Sequence, residues 1–336
     1  MRIENVVALT RGELITAPSI SHFEDTMVST SLVKRGDLFI ALNPEEIVKA
    51  IYAGAYGIIY DDDTITPMDP EIAFIKVRNT KSAAYSIARY CMIKKNFRFI
   101  CVDHVTFEII KKISKTKEVD FIEQSDIKGI FSLLKNDDAT IVFGYEEDFL
   151  TELTTDTVET FLEPRECSMQ TSGTTLFEST ITIDSQSMRV KLPQFQLKYL
   201  ENAIHILKEF GLEYELTSVG FIKFFDPVFV DEMLNQKEFG KTSKVIIFTE
   251  YYDKKLLKET MSYFCDNTKW AKNLYVFPIS HADYDDGSVI ITLYGSEREL
   301  KDILEENDFN FAFVVNGDKS KLIKEKKESS IFTFSF

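Results

Sequence analysis

The sequence predicts an α/β protein divided into two or three domains. A chain of 336 residues is too long for one ordinary domain of roughly 100–150 residues. Its composition, 44% hydrophobic and 28% charged, is typical of a folded protein rather than of a disordered or fibrous one. Short apolar runs with strand character alternate along the chain with stretches of helical spacing. This alternation favours crossover units that contain parallel strands.

The first block of the chain is predicted to form a small α/β unit. Residues 38–42 form an apolar run that follows the turn signal Arg35-Gly36-Asp37, which predicts a buried strand. The apolar spacing after this strand is helical, because Ile47, Ala50 and Ile51 recur on one face. The remaining elements are a helix opened by Pro44, strands over 58–60 and 74–77, and a helix over 82–92. We place the end of this block near residue 95.

The middle block, 96–240, begins with the same alternation and then changes character. Its first elements are a strand over 99–102, a helix over 106–114 and a strand over 139–143. From 174 to 190 the apolar residues alternate with period two around a turn at 184–187, and this pattern predicts a β-hairpin. A helix over 195–211 follows, and Gly211 is placed to end it.

The last block, 241–336, returns to strand and helix alternation and predicts a third α/β layer. Its strands are expected over 244–248, 274–277, 288–293 and 311–315, and its helices over 254–264 and 297–306. The segment 319–328 contains five lysines, but Glu325 and Glu328 interrupt them. We interpret it as a solvated helix or tail ahead of a terminal strand, and not as a nucleic-acid patch.

Charge and cysteine content exclude several classes of function. The net charge of −15 argues against nucleic acid as a partner and against docking on an anionic membrane, because both need a basic face. No apolar run approaches the ~20 residues that span a bilayer, and the start of the chain does not resemble a signal peptide. The four cysteines contain no C-x-x-C pair, so we expect reduced thiols in a cytoplasmic protein.

Two local clusters suggest chemistry only weakly. Gly240-Lys241-Thr242 is similar to the end of a phosphate loop, but it precedes a predicted strand instead of following one. His281, Asp283 and Asp285 are weak candidates for metal ligands, because hard cations favour oxygen-rich loops. Their spacing does not fit a calcium loop, so we interpret them as a solvated acidic turn. We predict neither a metal site nor a cofactor.

Two stretches of the first block carry a resemblance to a known family. Residues 33–42 read Val-Lys-Arg-Gly-Asp-Leu-Phe-Ile-Ala-Leu, and residues 50–59 read Ala-Ile-Tyr-Ala-Gly-Ala-Tyr-Gly-Ile-Ile. Both resemble the N-terminal domain of the Mur ligases, in particular MurF and MurE, in residue type and in spacing. Fainter similarities continue through the hairpin and the blocks that follow it. The resemblance implies a three-domain Mur-ligase architecture with parallel and mixed sheets and a shortened central domain.

The resemblance also implies which chemistry has been lost. Mur ligases join an amino acid or dipeptide to a UDP-muramyl precursor, and they use a glycine-rich loop after the first central strand to bind ATP. At that position the sequence has Asp103, His104 and Thr106, and residues 103–108 include no glycine and no lysine. A carboxylate at Asp103 would repel the phosphates of ATP. We therefore expect a degenerate phosphate loop and no catalytic residues.

At the positions of other family motifs the sequence also has substitutions or deletions. The family's Asp-Ser-Arg falls on Ser29-Thr30-Ser31, which keeps a hydroxyl and loses both charges. These three residues, with Gly36 and Asp37, are the candidates for a residual UDP-sugar cleft. The family's Asp-Gly-His loop is deleted, and its Gly-x-His-Asn turn is replaced by Gln194-Phe195-Gln196-Leu197.

The sequence thus leads to one hypothesis and two alternatives. The hypothesis is a Mur-ligase-like protein that no longer ligates and that binds a UDP-muramyl precursor or a cell-wall enzyme, in peptidoglycan synthesis or cell shape. The first alternative is an active ligase or metal-dependent transferase whose site has moved to Asp103, His104, Glu108 or the loop 281–286. The second is an assembly protein, unrelated to the cell wall, that acts through exposed Phe and Tyr patches.

Overall fold

The computed structural model describes residues 1–163, 165, 168–284 and 289–324. The chain divides into two compact units. The first unit comprises residues 1–107 and 114–163, and the second comprises residues 108–113 and 164–336. The predicted three-domain division, with limits near 95 and 240, stays a prediction.

The first sheet of the first unit has five strands. They are β1 (Glu13–Leu14), β2 (Thr26–Met27), β3 (Leu38–Ile40), β4 (Gly57–Tyr60) and β5 (Ala73–Lys76), in the order β1-β5-β4-β3-β2. Its helices are α1 (Ile3–Thr10), α2 (Ile47–Ala53) and α3 (Thr80–Met92). Strands β2 to β5 pair in parallel, which confirms the predicted crossover unit. Gly54 ends α2 with a φ of +108°, a conformation that favours glycine.

The second sheet of the first unit has four parallel strands. They are β6 (Arg98–Val102), β7 (Val119–Phe121), β8 (Ile141–Gly144) and β9 (Glu159–Phe161), in the order β7-β8-β6-β9. The helices that connect them are α4 (His104–Ile113), α5 (Ile127–Leu133) and α6 (Glu147–Leu153). One apolar core joins this sheet to the first one, because α3 packs against α1 and also against α5 and α6.

The second unit begins with the predicted hairpin. Its three antiparallel strands are β10 (Gln170–Thr174), β11 (Ser179–Ile183) and β12 (Gln186–Val190). Asp184 and Ser185 form the turn between β11 and β12 with positive φ angles of 50° and 66°. Helix α7 (Leu197–Glu209) follows and is shorter at both ends than the predicted helix over 195–211.

The last sheet has five strands in the order β13-β14-β17-β15-β16. The strands are β13 (Asp226–Val230), β14 (Lys244–Thr249), β15 (Asn273–Pro278), β16 (Ile291–Tyr294) and β17 (Phe311–Val315). The helices are α8 (Lys254–Asn267), α9 (Glu297–Glu306) and α10 (Lys319–Leu322). Strands β14 to β17 pair in parallel, whereas β13 pairs with β14 in the antiparallel direction. Separate apolar clusters cover the two faces of the sheet.

Some sequence expectations differ from the structure in detail. Helix α4 begins at His104, two residues before the predicted start, because Asp103 caps it. Strand β13 is not predicted from the sequence, and β16 starts later than the predicted strand over 288–293. Cys91, Cys101 and Cys265 are free thiols, while Cys167 lies outside the described residues. No helix in the described ranges is long and apolar enough to cross a lipid bilayer.

Candidate functional site

The junction between β6 and α4 occupies the position at which the sequence suggests a degenerate phosphate loop. Strand β6 ends at Val102 and α4 starts at His104, so Asp103 is the only connecting residue. The Asp103 carboxylate accepts a hydrogen bond of 2.9 Å from the Thr106 N–H and one of 2.5 Å from the Thr106 hydroxyl. A helix N-terminus attracts anions through its first N–H groups. In this protein the carboxylate of Asp103 accepts hydrogen bonds from the first turn of α4.

The electrostatic state of Asp103 follows from its burial. Loss of solvent raises the pKa of this carboxyl, and the hydrogen bonds from Thr106 only partly oppose the shift. The side chain therefore takes up a proton more readily than an exposed aspartate. A partly buried aspartate at this position is a poor receptor for phosphate, because it contributes negative charge or, when protonated, a single donor.

Aromatic side chains fill the space around the same junction. The buried ring of His104 lies 3.7 Å from that of Tyr145, measured between ring centroids. The Phe107 ring meets Tyr145 edge-on at 5.0 Å and Phe121 at 5.5 Å. The structure therefore brings the three predicted residues Asp103, His104 and Thr106 together, and it places His104 in an aromatic cluster.

Gly36 and Asp37, two candidates for a UDP-sugar cleft, lie in the turn that enters β3. Asp37 is buried, and its carboxylate accepts a hydrogen bond of 2.8 Å from the N–H of Lys34. Its backbone carbonyl accepts from Tyr56 at 2.8 Å. Gly36 has a φ of +99° and donates to the carbonyl of Gly54. These contacts hold the turn against the end of α2, so both residues have a structural role.

Ser29, Thr30 and Ser31 lie just after β2, in and beside a short 3₁₀ turn. The hydroxyls of Ser29 and Ser31 are 3.0 Å apart. Ser29 lines a small pocket of about 40 Å³ together with Lys128 and Lys135. A larger cleft of about 510 Å³ shares Lys135 and Phe131 with this pocket. We call the two together the lysine cleft.

The lysine cleft concentrates positive charge within an acidic chain. Four lysines line it: Lys94, Lys95, Lys128 and Lys135. Lys95 pairs with Asp137 at 2.7 Å, and Lys135 lies 3.6 Å from Asp25. These four lysines are not predicted from the sequence as site residues. The only signal for them is the seven-residue spacing of Lys128 and Lys135, which puts both on one side of α5 and its extension.

The turn 194–197 contains an unusual buried group. Residues Gln194–Gln196 form one 3₁₀ turn that leads into α7. The side chain of Gln196 is completely buried, and neither its amide oxygen nor its amide nitrogen has a hydrogen-bond partner among the described residues. An unsatisfied buried amide costs about 1–3 kcal/mol.

A second cleft lies in the second unit, at the carboxyl ends of β14 and β17. It has a volume of about 560 Å³, and we call it the strand-end crevice. Ligands of open α/β sheets bind at such an edge where the connections after two neighbouring strands diverge. After β14 the chain crosses through α8 to β15, whereas after β17 it enters α10.

The walls of the strand-end crevice carry charges of both signs. Lys319 pairs with Asp226 at 2.7 Å. Lys223 lies 3.2 Å from a carboxylate oxygen of Glu108 and 3.4 Å from one of Glu250. The sequence suggests Glu108 as a member of a relocated site, and the structure places its carboxylate beside Lys223, which lines this crevice.

The weak metal candidates do not form a cluster in the described part of the chain. The ring of His281 meets that of Tyr251 edge-on at 4.4 Å, and its Nδ1 lies 2.9 Å from the Ser280 hydroxyl. Asp283 is exposed, and Asp285 lies outside the described residues. Among the residues that the structure describes, no group of three His, Cys, Asp or Glu side chains could hold a metal ion.

Comparison with known proteins identifies the fold. No family model and no curated protein matches the sequence. A crystal structure of MurF from Acinetobacter baumannii superimposes with a TM-score of 0.54 at 10% identity, covering 95% of this chain and 96% of that one. A second MurF structure from the same organism gives a TM-score of 0.51 at 11% identity, with the same shares covered.

A third solved structure agrees with these two. It is the UDP-N-acetylmuramoylalanyl-D-glutamyl-2,6-diaminopimelate–D-alanyl-D-alanyl ligase from A. baumannii, with a TM-score of 0.51 at 11% identity and 96% of both chains covered. The chain therefore has a Mur-ligase-like fold, as its sequence predicts. At such low identity the likeness establishes the fold alone.

Proposed function

We propose that this chain, which has the fold of a Mur ligase, binds a UDP-muramyl precursor and does not ligate it. It would serve as a binding or scaffolding protein in peptidoglycan synthesis or cell shape. The observation that carries this proposal is the junction at Asp103. A phosphate loop needs several residues, rich in glycine, whose N–H groups surround the phosphates. One aspartate stands here in place of that loop.

The energetics of the junction oppose ATP binding. A phosphate held about 4 Å from an ionised carboxylate meets a repulsion of about 4 kcal/mol at the effective dielectric constant of a protein surface. Protonation of Asp103 would relieve the repulsion but would still leave a filled site, since His104 and Tyr145 pack against each other there. ATP binding would thus require both a charge change and repacking.

The lysine cleft supports the binding half of the proposal. A UDP-muramyl precursor carries a diphosphate and several carboxylates, and lysine ammonium groups are suitable partners for both. The cleft also adjoins Ser29, one of the residues at which the family resemblance implies a UDP-sugar site. Its four lysines are the positive groups that such a ligand needs in a chain with a net charge of −15.

Two titrations test the proposal. Thermal unfolding of the protein is measured with ATP–Mg²⁺ and, separately, with a UDP-muramyl peptide, because a ligand that binds only the folded state raises the melting temperature. We expect a rise with the UDP-muramyl peptide and none with ATP–Mg²⁺. Tight binding of ATP–Mg²⁺ would overturn the non-ligating role. Failure of the UDP-muramyl peptide to bind would overturn precursor binding.

Variants of the lysine cleft test whether the UDP-muramyl peptide binds there. The double variant Lys128→Ala, Lys135→Ala removes two ammonium groups, and we expect the dissociation constant of the UDP-muramyl peptide to rise about tenfold or more. Lys81→Ala is the matched control, because Lys81 is an exposed lysine of the same unit, on α3, and does not line the cleft. Equal effects of the two changes would place the ligand elsewhere.

The strand-end crevice favours a second candidate function, that of an enzyme with a relocated site. Lys223 and Glu250 line this crevice, and Glu108 lies beside Lys223. These groups offer proton acceptors and a cation next to a cleft large enough for a small ligand. The test is an assay for amide-bond formation from a UDP-muramyl substrate, an amino acid and ATP. Turnover that is lost in Glu108→Gln would support this function over the first.

A further inference from the structure

Two carboxylates lie among the ammonium groups of the lysine cleft. Asp25 precedes β2, and Asp137 lies between α5 and β8. Both line the larger part of the cleft. Asp137 pairs with Lys95 at 2.7 Å, and Asp25 lies 3.6 Å from Lys135. Half of the four lysines are therefore already matched to a carboxylate of the chain itself.

The other two lysines of the cleft have different surroundings. Lys94 lies over the ring of Tyr90, with its Nζ 4.3 Å from the ring centroid. Lys128 is an exposed side chain on α5. In the part of the chain that the structure describes, neither of these ammonium groups forms an ion pair with a carboxylate. They are the groups with which an anion can pair without competing against an aspartate.

The formal charge of the cleft follows from these side chains. Four lysines and two aspartates line it, so it has an excess of two positive charges. A diphosphate that is esterified at both ends, as in a UDP-sugar, carries two negative charges, one on each phosphate. A nucleoside triphosphate carries about four near pH 8, because its terminal phosphate loses a second proton with a pKa of about 6. The cleft therefore balances the charge of the diester and not that of the triphosphate.

The two ion pairs can be exchanged for contacts with a ligand. The side chain of Asp137 is 89% exposed and that of Asp25 is 55% exposed, and ion pairs with such exposure are weak. A diphosphate can therefore draw Lys95 and Lys135 toward itself, while the two carboxylates remain close by. These carboxylates then repel the ligand with an energy that is proportional to the ligand's negative charge.

We propose that Asp25 and Asp137 are specificity-determining residues of the lysine cleft. The lysines attract the diphosphate of the ligand, and the two aspartates lower the affinity for a more highly charged nucleotide more than they lower that for a diphosphate diester. The cleft is thereby a site for the diphosphate of a UDP-sugar. This inference rests on the proposed function, because it concerns the ligand of the same site.

Calorimetric titrations with two nucleotides test this selectivity. UDP-N-acetylglucosamine is the diester and UTP is the more highly charged nucleotide, and both are titrated near pH 8 with EDTA so that no magnesium ion neutralises the phosphates. The full chain is compared with the double variant Asp25→Asn, Asp137→Asn, in which amides of the same size replace the carboxylates. We expect the variant to bind UDP-N-acetylglucosamine about threefold and UTP about tenfold more tightly, because the repulsion that is removed scales with the ligand's charge. Equal gains for the two ligands would overturn the proposal.

A matched double variant separates the two aspartates from the net charge of the protein. Asp148→Asn, Asp156→Asn makes the same change of two charges at exposed aspartates of the same unit that do not line the cleft. We expect the ratio of the two dissociation constants in this variant to stay within about 1.5-fold of that in the unmodified protein, because solvent and salt screen distant charges. A shift as large as that of the cleft variant would mean that position in the cleft is irrelevant, and would overturn the proposal.

The salt dependence distinguishes charge from shape. Raising the NaCl concentration from about 0.1 to about 1 M shortens the Debye length from about 10 to about 3 Å. We expect the difference in selectivity between the unmodified protein and Asp25→Asn, Asp137→Asn to shrink over this range. A difference that persists at high salt would show that the substitutions reshape the cleft, and would contradict a role for the two charges.

The same titrations separate this inference from the proposed function. If the UDP-muramyl peptide binds but the cleft variant gains equally for both nucleotides, the aspartates do not determine specificity and precursor binding stands. If the UDP-muramyl peptide binds and UDP-N-acetylglucosamine does not, the cleft is not a diphosphate site and this inference alone is overturned. If neither UDP ligand binds, precursor binding is wrong and this inference fails with it.

Discussion

Asp103 and Thr106 are joined twice, since the carboxylate of Asp103 accepts hydrogen bonds both from the backbone N–H and from the hydroxyl of Thr106. The pair closes the first turn of α4 directly after β6. It lies at the junction for which the sequence predicts a degenerate phosphate loop.

Replacement of Asp103 by alanine removes this cap. We expect Asp103→Ala to lower the free energy of unfolding of the protein by about 1–2 kcal/mol, the usual cost of losing a side-chain cap. Urea unfolding followed by circular dichroism measures the change. Asp103→Ser is the control, because serine keeps an acceptor for the N–H of Thr106 and should recover most of the loss. Equal losses in the two variants would show that the cap is not the cause.

The pKa of Asp103 makes a pH dependence measurable. Partial burial raises the pKa of the Asp103 carboxyl in the folded state above its ordinary value of 3.8, so the folded protein binds a proton more tightly than the unfolded chain does. The free energy of unfolding should therefore fall as the pH rises from about 3.8 through the raised value. Asp103→Asn removes the titration and keeps the shape. We expect the stability difference in favour of Asp103→Asn to grow over this window and then level off.

Urea titrations of both proteins at several pH values measure that difference. Other carboxylates titrate in the same range, but they are common to the two proteins and cancel in the comparison. Parallel stability curves would contradict a raised pKa for Asp103.

Gln196 should be replaceable with a gain in stability. Its buried amide has no partner among the described residues, so an apolar side chain of similar length removes an unsatisfied group. We expect Gln196→Met to raise the free energy of unfolding by about 1–2 kcal/mol. Gln194→Met, at an exposed position of the same turn, should change it by less than about 0.5 kcal/mol. A lower free energy of unfolding in Gln196→Met would contradict this expectation, and would show that the amide has a polar partner such as a buried water.

Gly57 should not tolerate a side chain. A Cβ atom at this position would lie 2.4 Å and 2.5 Å from two ring atoms of Phe23. The ring is 1% exposed and has no room to withdraw, so we expect Gly57→Ala to destabilise the protein by about 1–3 kcal/mol. Gly173→Ala is the control, because nothing lies within 4 Å of its added Cβ. Thermal unfolding compares the melting temperatures of Gly57→Ala and Gly173→Ala. Equal melting temperatures would contradict a clash between Phe23 and a side chain at position 57.

The sequence predicts most of the strands and helices because their signals are local. The hairpin β11–β12 follows from period-two alternation, and α9 coincides with the helix predicted over 297–306. Strand β13 escapes prediction because Pro227 interrupts its apolar run. Proline is tolerated in an edge strand, but only the assembled sheet identifies β13 as one.

The candidate sites likewise include some that local sequence predicts and some that only tertiary structure reveals. Asp103, His104 and Thr106 are neighbours in sequence, so their common position could be predicted. The lysine cleft brings Ser29 beside Lys128, and no local pattern links two residues so far apart in the chain. The functional meaning of Gly36 and Asp37 is also set by tertiary contacts, since their partners include Gly54 and Tyr56.

The antiparallel pairing of β13 has a consequence for how the second unit folds. Asp226 and Phe248 pair across a short stretch of chain, whereas β14 and β17 join residues separated by two helices and two strands. Closing a shorter loop costs less entropy and is faster. We therefore expect β13 and β14 to form the template on which the parallel strands later assemble. Their amides should be the earliest of the sheet to gain protection in pulsed hydrogen exchange during refolding.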